Sequence, residues 1–103
     1  MDILTLETLV VGCDWLSARD SDLARIYETL GAPPLWERAP GFPTLVYIIL
    51  EQQVSLASAR AAFDKLQAAS GVITPESFLR FDAAELNQIG FSRQKAGFCR
   101  GLA

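Results

Sequence analysis

Histidine is absent from the sequence, and cysteine occurs only at Cys13 and Cys99. Without histidine, no Ser/His or Cys/His pair of nucleophile and base can form. Two cysteines cannot by themselves complete a tetrahedral zinc site or hold an iron–sulfur cluster. No metal and no cofactor is therefore expected. No glycine-rich phosphate loop occurs, nor any low-complexity stretch or internal repeat. The apolar run Ile3 to Leu16 is broken by Glu7 and Asp14 and has no basic residue ahead of it. It reads as neither a signal peptide nor a membrane span. The acidic residues of the central and C-terminal parts fall at helix caps or surfaces, so no pair of carboxylates stands out.

What is present is apolar. Of 103 residues, 50% are hydrophobic, which excludes disorder and is enough for one domain but not two. Such a composition fits a small globular domain or a piece of a larger fold. The net charge is −3, which argues mildly against a phosphate-rich partner. The charge is unevenly spread. Residues 1–53 carry three basic and eight acidic side chains, whereas residues 54–103 carry six basic and four acidic. Only the second half is suited to face phosphates. Both cysteines lie in apolar helical patterns and read as buried small hydrophobes, in keeping with a reduced, intracellular setting.

The periodicity is helical throughout, so the expected fold class is all-α, a multi-helix bundle. Leu6, Leu9, Val10, Cys13 and Leu16 predict a helix from about Leu4 to Ala18. Asp20 is a suitable N-cap for a second, from about Ser21 to Leu30. Gly31 and Pro33-Pro34 end it. A loop follows to Gly41. A third helix opens at Phe42-Pro43, with proline in the first turn, and continues through Leu45-Val46-Tyr47-Ile48-Ile49-Leu50. Apolar on all sides, it is expected in the middle of a packed domain, with a buried strand as the rival. Ser55 caps a helix to about Ala69, with Leu56, Ala59, Phe63 and Leu66 as its buried stripe. Thr74-Pro75 starts a short helix carrying Phe78 and Leu79. Asp82 and Glu85 form a capping box for another, which Gly90 ends with Phe91 as the accompanying apolar contact. Ser92 caps the last helix, with Ala96, Cys99 and Leu102 on one face.

The informative segment is Ile48-Ile49-Leu50-Glu51-Gln52-Gln53-Val54-Ser55. An apolar helix delivers two glutamines and a serine to the turn before the next helix. A glutamine amide both donates and accepts, so it can meet the edge of a nucleic-acid base or fill the space a base has left. Taken by themselves, the residues favour the plainer reading of polar side chains at an ordinary helix corner, with Ser55 simply capping.

The run Phe42-Pro43-x-Leu45-Val46-x-x-Ile49-Leu50-x-Gln52-Gln53-Val54-Ser55, then Ala57 and Ala59, resembles the signature of the helix-hairpin-helix (HhH-GPD) DNA glycosylases, nearest their 3-methyladenine, alkylation-repair branch. Gly71 with Thr74-Pro75-Glu76 is similar to that family's "G…TPE" connection. Gly90-Phe91-Ser92-Arg93-Gln94-Lys95-Ala96 and Gly101-Leu102-Ala103 are similar to its "GLSxxKAxxIxxLA" segment. The resemblance covers about Phe42 to Ala103. It divides the chain into an N-terminal helical extension, 1–41, and the first part of a glycosylase domain, 42–103.

The resemblance implies a monofunctional DNA N-glycosylase of base-excision repair, acting on damaged double-stranded DNA beside the chromosome in the cytoplasm. Such enzymes flip the damaged base into a pocket. It implies that Gln53 is the side chain entering the vacated stack, with Gln52 and Ser55 holding the corner and Arg93 and Lys95 near phosphate. Trp36, Phe42 and Tyr47 are the aromatic candidates for the base pocket, where a ring attracts a cationic alkylated base. The family's glycine-rich hairpin and catalytic aspartate would follow Ala103, so the chain alone is expected to be inactive, and to self-associate through apolar surface left uncovered. A non-enzymatic helical module binding DNA or protein is the alternative.

Overall fold

The computed structural model describes residues 3–103. Among these the chain is all-α, with seven helices and no strand. They are α1 (Leu6–Ser17), α2 (Ser21–Leu30), α3 (Phe42–Glu51), α4 (Leu56–Ser70), α5 (Pro75–Leu79), α6 (Ala83–Ile89) and α7 (Arg93–Leu102). None is long and apolar enough to cross a membrane. The chain divides into two compact units, 1–37 and 38–103.

Local side-chain chemistry sets most helix starts. Thr5, Asp20, Ser55, Thr74, Asp82 and Ser92 each accept backbone N–H groups of the first turn that no carbonyl can reach. The Asp82–Glu85 capping box is present, with reciprocal bonds of 2.8 and 3.0 Å. Thr5 caps α1, so that helix begins two residues later than its apolar pattern suggested.

In the first unit α1 packs against α2. Neither contains a fully buried residue. Cys13, expected to be buried, is only half-buried, as is Leu9, while Leu6, Val10 and Leu16 of the same apolar pattern are exposed. Two short helices alone cannot enclose a side chain on every side. They form an apolar cleft of about 440 Å³ lined by Cys13, Leu16, Leu23, Ile26, Tyr27 and Leu30, among others.

The second unit holds the core. α3 packs on α4 and α7, α6 packs on α4 and α7, and α5 packs on α7. Phe78 is fully buried at the centre. Its ring meets Phe91 edge-on at 5.5 Å and Phe42 at 6.0 Å, an arrangement aromatic quadrupoles favour. Val46, Leu50, Leu66, Leu86 and Cys99 fill the space around it. Both cysteines are free.

The helix from Phe42 is a helix and not a strand, but it is not buried all round. Val46 and Leu50 face inward, while Leu45 and Ile48 are exposed, because its packing partners in this unit, α4 and α7, leave its outer face uncovered. Two residues of the stripe expected on α4 differ as well: Leu56 is exposed and Phe63 is only half-buried. Leu102, on the face of Ala96 and Cys99, is exposed too. In α4 the buried stripe is Ala59, Ala62 and Leu66. Ala62 faces inward because Gly90 comes up against it: a Cβ on Gly90 would stand 2.9 Å from that of Ala62.

Candidate functional site

The corner between α3 and α4 is where the polar segment lies. α3 tightens as it ends, since the Gln52 N–H reaches back three residues to the Ile49 carbonyl at 3.2 Å. Gln52 then turns to extended backbone. Gln53 has φ +60°, and among the described residues it is the non-glycine residue in the left-handed region. That conformation costs a non-glycine residue about 1–2 kcal/mol. Val54 leads to Ser55, whose hydroxyl accepts the Ser58 N–H at 3.1 Å and starts α4. Gln52, Gln53, Val54 and Ser55 are all exposed. The corner thus displays two amides and a hydroxyl on a rigidly capped turn.

Two cations tie this corner to the rest of the unit. Lys95, on the first turn of α7, donates from Nζ to the Leu50 carbonyl at 2.8 Å. Arg38 forms an ion pair with Glu51 at 2.7 Å. The hydrogen bond to Glu51 holds the Arg38 guanidinium above its ordinary pKa. Arg38 also stands over the Tyr47 ring, 5.6 Å from its centre. The structure therefore brings Gln52, Gln53, Ser55 and Lys95 together. Arg93, two residues before Lys95 on the same helical turn, is exposed. No salt bridge engages it among the described residues. Cations in the first turn of a helix oppose its macrodipole. For Lys95 the Leu50 carbonyl compensates, whereas Arg93 keeps its charge toward solvent.

The aromatic candidates of the second unit, Phe42 and Tyr47, meet different neighbours. Phe42 packs into the core against Phe78. Tyr47 lies edge-on to Phe63 at 4.7 Å, with Arg38 over its face. The Tyr47 hydroxyl and then Asp64 hold the Arg60 guanidinium above its ordinary pKa. Trp36 belongs to the other unit and is 84% exposed. A cleft of about 550 Å³ opens instead between α6 and α7, lined by Ala83, Ala84, Asn87, Phe91, Arg93, Ala96, Gly97 and Arg100.

Sequence reasoning missed Arg38 and Glu51. Their pairing joins a loop residue to the last residue of α3, and only the character of Glu51, a charge ending an apolar helix, hinted at it.

The family model of the HhH-GPD superfamily base excision DNA repair proteins matches residues 46–103, and the chain belongs to that family. Among solved structures it is similar to a DNA-3-methyladenine glycosidase from Bacillus halodurans, with 31% identity and a TM-score of 0.67. That alignment covers 82% of this chain and 40% of the other, so the chain spans about two fifths of the length of that glycosidase. No curated protein sequence matches.

Proposed function

We propose that this chain is the base-probing part of a DNA N-glycosylase acting on alkylated bases in double-stranded DNA. When a nucleotide rotates out of the duplex, a side chain must fill the space it leaves. The observation that carries the proposal is Gln53, exposed at the α3–α4 corner on left-handed backbone, in a chain of the base-excision family. Its amide can donate to and accept from the orphaned base. Gln52 and Ser55 shape the turn, and in this reading Arg93 at the start of α7 faces the phosphates, with Lys95 beside it bound to the Leu50 carbonyl. The likeness to a 3-methyladenine glycosidase supports alkylated bases as the substrate class. In this reading the working part is 42–103, with 1–41 as an extension, in an intracellular protein that meets the chromosome.

The same residues support a monofunctional mechanism and an inactive isolated chain. A lysine that attacked the sugar would need a free, neutral amine. The Lys95 ammonium is committed to the Leu50 carbonyl. The carboxylate flanking the corner, Glu51, is ion-paired to Arg38 and so is already neutralised by a cation. It is poorly placed to stabilise positive charge developing on a sugar. The chain by itself then binds and distorts DNA without releasing a base.

The test compares binding of the 103-residue chain to a duplex with an abasic-site analogue and to the intact duplex, at low salt. The abasic duplex is expected to bind more tightly. Gln53→Ala should reduce that preference about five- to tenfold, the worth of a hydrogen bond or two. Equal affinity for both duplexes sinks the proposal. A non-enzymatic interaction module is the second reading, favoured by the net charge of −3; an absence of DNA binding at low salt selects it. Self-association through exposed apolar side chains such as Leu30, Leu56 and Val72 belongs to the first reading, and a monodisperse monomer in sedimentation refutes that part.

A further inference from the structure

We propose that Lys95 is a positioning residue that holds Gln53 in its probing conformation, an inference that rests on the reading of Gln53 given above. Lys95 is the third residue of α7, after the Ser92 cap. A cation there is opposed by the dipole of its own helix, so local energetics do not explain it. It is nonetheless partly buried, and its ammonium reaches 45 residues back to the Leu50 carbonyl.

That carbonyl is one of those at the end of α3 with no helical partner. α3 has no basic residue of its own in the last turn. Lys95 supplies, from another helix, the cation that a helix C-terminus favours. The next residue, Glu51, is held by Arg38. Two consecutive residues are therefore fixed from different parts of the unit immediately before Gln52 and Gln53. Strained backbone persists only where its surroundings over-determine it. Gln53 at φ +60° is such a place, and its own side chain stays exposed. In this role Lys95 touches no phosphate. It acts through the Leu50 carbonyl on the direction in which Gln53 leaves the corner.

The positioning role and a direct phosphate contact give different signatures. Lys95→Met keeps the aliphatic stem and removes the charge, and Lys95→Arg restores a donor. The 103-residue chain and both variants are titrated with the abasic-analogue duplex and the intact duplex over a range of salt. Lys95→Met is expected to lose about tenfold in abasic preference, the scale of a hydrogen bond to a charged group. Its slope of log affinity against log salt should not change, and Lys95→Arg should recover most of the preference. Hydrogen exchange of the Gln52 amide should accelerate in Lys95→Met, while amides in the middle of α4 stay protected.

A slope reduced by about 0.9, with both duplexes weakened alike, marks a phosphate contact and overturns the proposal. So does unchanged exchange at Gln52 in Lys95→Met, whatever the DNA results. If the unsubstituted chain shows no abasic preference, the reading of Gln53 fails, and the inference about its positioning fails with it. Exchange at Gln52 then still separates a Lys95 that fastens the corner from one that does not.

Discussion

Gly90 offers the sharpest test of the packing. It ends α6 with φ +130°, and the chain turns there by a paired closure. The Gly90 N–H donates to the Asn87 carbonyl at 3.2 Å, and the Phe91 N–H to the Leu86 carbonyl at 2.9 Å. This is the Schellman pattern, which glycine adopts without steric penalty. Phe91 and Leu86, joined by the outer of these bonds, are both in the core. An alanine would meet two separate obstacles. The backbone conformation is strained for any side chain, by about 1–3 kcal/mol. The new Cβ would also stand 2.9 Å from Ala62 Cβ, on a helix that cannot simply swing away. Overpacking of this kind costs about 1–3 kcal/mol. Gly90→Ala is therefore expected to lose about 2–6 kcal/mol, a large part of a small domain's stability. At about 4–8 °C per kcal/mol for a unit of this size, the Tm should fall by at least about eight degrees.

Gly71→Ala is the control. Gly71 has φ +75° with nothing within 4 Å of the added Cβ, so it carries backbone strain alone, about 1–2 kcal/mol. Thermal unfolding of the two variants separates strain from contact. The double variant Gly90→Ala with Ala62→Gly should recover the contact part, less the roughly 1 kcal/mol that glycine costs inside a helix. If Gly90→Ala is no worse than Gly71→Ala, or Ala62→Gly gives no recovery, the close approach of α4 and the α6–α7 turn is wrong.

Two further expectations concern single side chains. Arg93→Ala should weaken binding to intact and abasic duplexes alike and reduce the salt slope by about 0.9, as for one phosphate contact; an unchanged slope removes Arg93 from the interface. Burial pushes the Cys99 thiol up to about 11 from 9.0, because the thiolate would have to form inside the core. Iodoacetamide at pH 8 should label Cys13, which is half-buried, before Cys99; equal rates contradict the packing of α7. The linkage follows in sign. The unfolded chain releases this proton near pH 9 and the folded chain near 11, so above pH 9 the unfolded state binds fewer protons and stability declines as pH rises. That decline should be shallower in Cys99→Ala.

The helices and their starts were legible because capping is local. Asp20, Ser55, Asp82 and Ser92 act on amides two or three residues away, and Gly31, Gly71 and Gly90 end helices where their spacing indicated. Which apolar residues are covered was less legible. Periodicity shows that Leu56 and Leu102 share a face with buried neighbours, but burial depends on what stands opposite. The corner itself was visible as a change from apolar to polar at Glu51-Gln52-Gln53. Its fastening was not. The contacts of Arg38 with Glu51 and of Lys95 with Leu50 join distant parts of the chain, and no local pattern encodes them. Nothing in the identity of Gln53 announced a positive φ, since the turn imposes it.

The backbone at Gln53 bears on how this protein can be altered. A glycine would sit there more comfortably, and an asparagine almost as well. The position thus separates two demands: thermodynamic comfort asks for a small residue, and probing the stack asks for a long amide. A redesign guided by folding energy alone would replace this glutamine early. It would return a sturdier chain with a blunter corner, so position 53 should be held constant when the scaffold is improved elsewhere.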